Sequence, residues 1–189
     1  RNNSYYYEYW KVSNHMSTLS VDTITGQTTA ANVKLPAGCI LQTLSTTKTD
    51  TFANSSSSNQ VITGLTVTIT PKYATSKILI HASVAASTNS GGRAFITLAK
   101  GGSVIVQGDA SGSRRRCFAQ IQNSDTGFMN SITMEFLDSP ATTSALTYQV
   151  IGLPEGSNTQ ININKSSTDS DSASRGRGSS TITVMEIAQ

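Results

Sequence analysis

The sequence predicts an all-β fold: an antiparallel β-sandwich, jelly-roll-like, with an extended N-terminal arm. Three observations predict it. Short segments of two-residue apolar/polar alternation recur from residue 38 onward, each bounded by Gly, Pro, Asn, Asp or Ser. Ser and Thr supply 54 of the 189 residues while charged residues supply only 13%; Thr suits a pleated surface through its branched Cβ and Ser suits turns. No stretch of about a dozen residues carries a helical period.

The elements follow in chain order. Residues 1–15 (RNNSYYYEYWKVSNH) hold four of the six tyrosines and the only tryptophan. Met16 has the look of a natural start, so this leader is either extraneous or an aromatic arm that docks on a partner; it is set apart from the fold. Residues 16–37 are sparsely apolar and broken by Gly26 and Pro36. They cannot build a core and are expected to form an extended attachment arm that pairs with a neighbouring chain, with Leu19, Val21, Ile24, Val33 and Leu35 as its candidate contacts.

Residues 38–189 form the predicted sandwich domain, with about ten strands at a spacing typical of sandwiches and barrels. Residues 65–70 (LTVTIT) put Leu65, Val67 and Ile69 on one face and three threonines on the other, and Pro71 ends the strand. Along 76–86, Ile78, Ile80, Ala82 and Val84 share a face. The Asn89-Ser90-Gly91-Gly92 turn leads to Ala94, Ile96 and Leu98, and Lys100-Gly101-Gly102 turns again into the apolar run 104–106. A strand over 116–122 contains Cys117 and Phe118. Ile132, Met134 and Phe136 alternate up to the Asp138-Ser139-Pro140 loop, then Leu146, Tyr148 and Val150 alternate, and Ile161 and Ile163 flank Asn162. Residues 165–180 form a polar loop. The last strand, 181–188, slips in its alternation between Val184 and Met185, which suggests a bulge or burial on both faces. Leu79, Phe95, Leu137 and Ile151 fall on outward faces, where several apolar residues together fit a subunit interface.

The same residues exclude function classes. The net charge is only +3, with no broad basic face interleaved with aromatics, so no nucleic-acid partner is expected. No apolar run is long enough to span a membrane, and no basic segment followed by an apolar one marks an export signal. Cys39 and Cys117 fit no metal spacing; their number permits one disulfide, and the other reading is two buried free thiols acting as small hydrophobes. No catalytic motif is present: His15 lies in the leader, and His81 sits mid-strand as a surface or packing residue. The eleven acidic residues offer no glycosidase pair, and Asp169 and Asp171 lie in a flexible Ser-rich loop too poor in oxygen ligands for calcium. The expectation is therefore no enzyme, no cofactor and no metal.

Arg114, Arg115 and Arg116 are the sharpest charged feature. In a strand or its leading loop alternate arginines point to opposite faces, so at most two share one. They read either as a solvated loop end or as an anion or subunit contact, an acidic host polysaccharide being one such anion.

Four segments carry a family resemblance: MSTLSVDTITGQTTAANVKLPAGCILQT (16–43), LTVTITPKYATSKILI (65–80), Leu137-Asp138-Ser139-Pro140, and ITVMEIA (182–188). In these the chain resembles marine phage structural proteins of the tail-fibre-like group. The resemblance implies a virion appendage, generally a homotrimer, assembled in the host cytoplasm and exposed outside. Its N-terminal arm would join other virion proteins of the tail or capsid, and its β-rich body would face the medium; a host surface glycan stands apart as a candidate partner, for which the resemblance defines no residues. Two alternatives stand beside this reading: a capsid decoration or head-fibre protein, and, from another class, the carbohydrate-binding module of a bacterial surface protein.

Overall fold

The computed structural model describes residues 35–89 and 91–189. The leader and the candidate arm contacts Leu19, Val21, Ile24 and Val33 lie outside the described residues. Leu35, the remaining arm candidate, is 48% exposed where the compact unit Leu35–Gln189 begins.

The described residues form eleven strands and no helix: β1 (Ile40–Lys48), β2 (Phe52–Asn54), β3 (Gln60–Ile69), β4 (Lys77–Thr88), β5 (Arg93–Lys100), β6 (Ser103–Val104), β7 (Ala119–Gln122), β8 (Asn130–Asp138), β9 (Leu146–Pro154), β10 (Ile161–Ile163) and β11 (Ser180–Ile187). Every pairing is antiparallel. The first sheet runs β8–β4–β11–β1, and β10 and β2 prolong the lines of β11 and β1 beyond the break in each. The second runs β3–β9–β5, with β7 and β6 sharing the far side of β5. Each sheet is thus four strand-lines wide. Three lines are split, β1/β2, β10/β11 and β6/β7, and in the last two a long loop leaves the line and rejoins it.

The core lies between the sheets and follows from the alternation. Ile78, Ile80, Ala82, Val84 and Ala86 of β4 and Ile182 and Val184 of β11 face Leu65, Val67 and Ile69 of β3, Ala94, Ile96 and Leu98 of β5, and Tyr148 and Val150 of β9. Burying each large aliphatic side chain stabilises the sandwich by about 1.5–3 kcal/mol. The edges β1 and β3 meet along one side, where Thr46 Oγ1 donates to Thr66 O (3.0 Å) and Gln42 Nε2 to Thr70 O (2.8 Å). Side chains of one sheet thereby satisfy backbone acceptors of the other along this side.

Both ends of the apolar layer are closed by buried polar clusters. At the end where β1 starts, Asp138 of the first sheet accepts from Lys100 Nζ (2.7 Å) and Tyr148 Oη (2.8 Å) of the second. Burial pushes the Tyr148 phenol far above its usual range, and the bond to Asp138 adds to the rise. Tyr148→Phe, with the Lys100–Asp138 pair left in place, is expected to cost about 1–2 kcal/mol in urea unfolding. Close by, the fully buried Glu186 accepts from the backbone amides of Lys72 (2.7 Å) and Tyr73 (3.3 Å) and from Gln42 Nε2 (2.6 Å). At the opposite end, Asn123 Oδ1 accepts from Thr88 N (2.8 Å) and from Asn130 Nδ2 (3.2 Å).

Asn164, just past β10, is the hub of that opposite end. Its Nδ2 donates to Lys48 O (2.8 Å) and Asp50 O (2.9 Å), its Oδ1 accepts from Ser180 Oγ (2.6 Å), and its backbone amide donates to Ala85 O (2.9 Å). Ser180 Oγ in turn accepts from Ala85 N (3.0 Å). One residue thus ties together the lines of β1, β4 and β11, and it does so at φ +62°, a left-handed conformation that Asn tolerates better than most residues.

Several sequence expectations are corrected. The last strand has no bulge: its register against β4 is continuous from Thr181 to Ile187 and its burial alternates strictly. The apparent slip arises because an inward position holds the polar Glu186, while Met185 and Ile187 face outward. The segment expected as a strand over 116–122 enters the sheet only at Ala119, leaving Cys117 and Phe118 in the preceding loop, and of 104–106 only Val104 belongs to a strand. Phe95 and Ile151 do face outward, but both are buried, because a loop crosses that face; Leu137 remains 45% exposed and Leu79 half-buried. Both cysteines are free, and both are half-buried rather than buried; desolvation raises the Cys117 thiol above its usual range. The 165–180 loop is tied down along its length, by Ser87 Oγ to Lys165 O (2.9 Å), Thr168 N to Thr126 O (2.9 Å) and Arg177 to Asp169 (2.8 Å).

Candidate functional site

The candidate site is built by the loop between β6 and β7. The hairpin from β5 into β6 closes on Gly101 (φ +56°) and Gly102 (φ +82°), two successive positive-φ positions as a type I′ turn requires. Ile105 N still bonds Leu98 O (3.1 Å), then the chain lifts off the edge. It returns at Phe118, whose amide bonds Ile96 O (3.0 Å), and β7 resumes the pairing. Thr97 Oγ1 donates to Val106 O, and Gly108 N to Cys117 O (3.2 Å) closes the base of the excursion. The loop therefore lies on the outer face of the second sheet, where Phe95, Thr97, Ala99 and Ile151 are all buried.

Arg115 fixes the loop tip to this face. Its guanidinium lies 5.8 Å from the centroid of the Phe95 ring, and its Nη2 donates to Glu155 O (3.1 Å). Arg114 turns within the loop and donates to Ser111 Oγ (2.8 Å). Beneath them Arg93 pairs with Glu155 (2.9 Å), brought alongside because β5 and β9 pair with Phe95 opposite Leu153. Gln120 sits opposite Phe95 on β7. Arg93, Phe95, Ser113, Arg114, Arg115, Gln120 and Glu155 line an open cleft of about 430 Å³.

Among the described residues, no carboxylate lies within ion-pair distance of Arg114 or Arg115, and Arg93 is matched by Glu155. The cleft therefore carries an excess of two positive charges. Arg116 is not part of it: its Nε donates to Gly108 O (2.7 Å) on its own loop. The two arginines that share a surface are adjacent rather than alternate, because this stretch is loop and not strand. Sequence reasoning found the arginine run but missed Arg93, Gln120 and Glu155. The one available signal was the outward-facing Phe95 two residues from Arg93.

His81 and Glu135 form an exposed cross-strand pair 3.7 Å apart on the outer face of the first sheet. A second depression within residues 169–177 holds Asp169 and Asp171, but Asp169 is already matched by Arg177 and by Lys165 (3.5 Å). Among the described residues no cluster of His, Cys, Asp or Glu is placed to hold a metal ion, and no helix is long and apolar enough to cross a membrane.

A comparison with protein-family models gives no match for this chain, and a comparison with curated proteins gives none either.

Proposed function

We propose that this chain is a non-enzymatic structural subunit of a phage virion, a tail-fibre or appendage protein with a jelly-roll body that assembles as a homotrimer. The observation that carries the reading is strand order. Counted by strand-lines, the first sheet reads 1-8-3-6 and the second 2-7-4-5, where β1/β2 is line 1 and β10/β11 is line 8. Each sheet alternates early and late lines, as two nested Greek keys wound into a jelly roll do, an arrangement recurrent in viral capsid proteins and lectins. The polar chemistry supports the non-enzymatic part: Glu186, Asp138 and Asn164 are all spent on holding strands and turns together.

The trimer finds support on the outer face of the first sheet. There Leu137, Leu79 and Met185 stand side by side across β8, β4 and β11, next to Ile187 and the 55%-exposed Ile40. A contiguous apolar row on a sheet face suits a second copy of the chain. Sedimentation of the full chain is expected to give three chain masses. Leu137→Glu, at an exposed position, is expected to leave the circular dichroism spectrum unchanged and to shift the mass to that of one chain; a monomeric wild type would overturn the trimer. Gold-labelled antibody on intact particles tests tail against capsid placement, and absence of label from both would overturn the virion reading.

The second reading, a carbohydrate-binding module, shares the jelly roll and draws on the arginine cleft. A monomer that binds sugar and never labels particles would favour it.

A further inference from the structure

We infer that the arginine cleft is a binding site for an acidic sugar, one that presents a carboxylate or sulfate together with free hydroxyl groups. Its use in host attachment rests on the virion reading above; its ligand chemistry does not.

Three features lead there. First, Arg115 is preorganised. Its place over the Phe95 ring and the bond to Glu155 O hold its guanidinium, while its remaining N–H donors are left for a ligand. A fixed planar fork matches a carboxylate or sulfate edge in two parallel hydrogen bonds and loses little rotamer freedom on binding. Second, Arg114 stands beside it, anchored through one nitrogen to Ser111, so two adjacent guanidinium groups face one cleft without a carboxylate of their own. Third, the wall carries Glu155 and Gln120. Glu155 is an acceptor at the edge of a cationic site. It would repel a chain of phosphates, but it would accept hydroxyl donors. The ring of Phe95 is only 9% exposed and lies under Arg115, so no aromatic face is offered to a nucleobase. An anion that also carries hydroxyls satisfies both halves of the site; a polynucleotide satisfies one.

The cleft also occupies a distal position. Arg93 and Glu155 sit at the end of the sandwich near Thr88 and Pro154, whereas Leu35 and Gln189 sit at the end near Lys77 and Leu146. A ligand bound there lies a full strand length from the point where the chain enters the body.

The test is binding of the full chain to four immobilised probes: oligogalacturonate, a sulfated dextran oligomer, neutral dextran and a single-stranded DNA oligomer. Binding is expected to one or both acidic sugars, to weaken as salt rises, and to be absent for neutral dextran. Carboxylate against sulfate preference is read from the first two. Arg114→Gln with Arg115→Gln is expected to reduce that binding at least tenfold, and Lys77→Gln, the same type of charge change on the other sheet, less than twofold. Arg115→Lys keeps the charge and loses the fork, and is expected to weaken binding by several-fold. Because Arg115 also pins the loop, Arg114→Gln alone supplies a variant with an intact anchor and is expected to weaken binding in its own right. No binding to either acidic sugar, equal or tighter binding to DNA, or indifference to Arg114→Gln and to the double substitution would each overturn the inference.

Discussion

Replacing Asn164 with Ala is expected to destabilise the sandwich by about 3–5 kcal/mol. The substitution removes two donors and one acceptor from a buried position. The carbonyls of Lys48 and Asp50 and the hydroxyl of Ser180 are then left without their partners. Each buried polar group stranded in this way costs about 1–3 kcal/mol, far more than the net value of an exposed hydrogen bond. Ala must also adopt φ +62°, which costs a residue with a plain Cβ about 1–2 kcal/mol. Asn164→Gly separates the two contributions: it loses the same hydrogen bonds but accepts the backbone conformation, and is expected to be about 1 kcal/mol more stable than Asn164→Ala. Urea unfolding of the three proteins gives both differences. A loss below about 1 kcal/mol for Ala, or a Gly variant less stable than Ala, would show that the hub does not hold these strands.

Glu186 is expected to make the fold sensitive to acid. Its burial by itself favours the neutral form, but the Ser76 hydroxyl close by, the Gln42 amide and the backbone N–H groups of Lys72 and Tyr73 outweigh burial and hold the carboxyl below the ordinary glutamate value of 4.5. The bonds of good geometry come from Gln42, Lys72 and Tyr73; Ser76 Oγ makes none. A carboxyl whose acidity is strengthened by folding contributes stability above its unfolded value and loses it as pH falls through the folded one. The wild type should therefore weaken as pH drops below about 4.5. Glu186→Gln, which keeps the shape but turns amide donors toward amide donors, is expected to cost about 2–3 kcal/mol at neutral pH. The gap between the two proteins should close in acid. A gap that stays constant from neutral pH down to about pH 3 would mean that the ionised carboxylate is not what the turn after β3 requires.

These two residues also show where the sequence was legible and where it was not. The alternation of Leu65, Val67 and Ile69, and of Ile78, Ile80, Ala82 and Val84, revealed the inner faces directly, because a strand has a period of two and one buried side. The rule failed where an inward position is polar. Glu186 broke the apolar pattern and made a regular strand look bulged, since its burial depends on donors from residues 42, 72 and 73, distant in the chain or outside its strand. It failed again where a loop covers an outer face, as at Phe95 and Ile151, because nothing in a strand's own sequence says what will lie on top of it. The cleft was half legible for the same reason. Arg114 and Arg115 announce themselves as a charge run, but Arg93 and Glu155 join them only through the pairing of β5 with β9.

The pairing of β1 with β11 has a mechanical consequence. The chain enters the body at Leu35, turns at Ala37–Gly38 and then forms β1, which holds β11 through eight Cα partner pairs. A nine-residue strand is about 30 Å long, so β1 spans the body from the entering end toward the cleft end. If tension were applied between Leu35 and a ligand seated in the cleft, the force would run parallel to β1. Its ladder would then be loaded in shear, with all rungs resisting at once. Tension between Leu35 and Gln189, which sit at the same end, would instead peel the two strands apart rung by rung. A body threaded in this way is stiffest along the axis that runs from Leu35 to the arginine cleft.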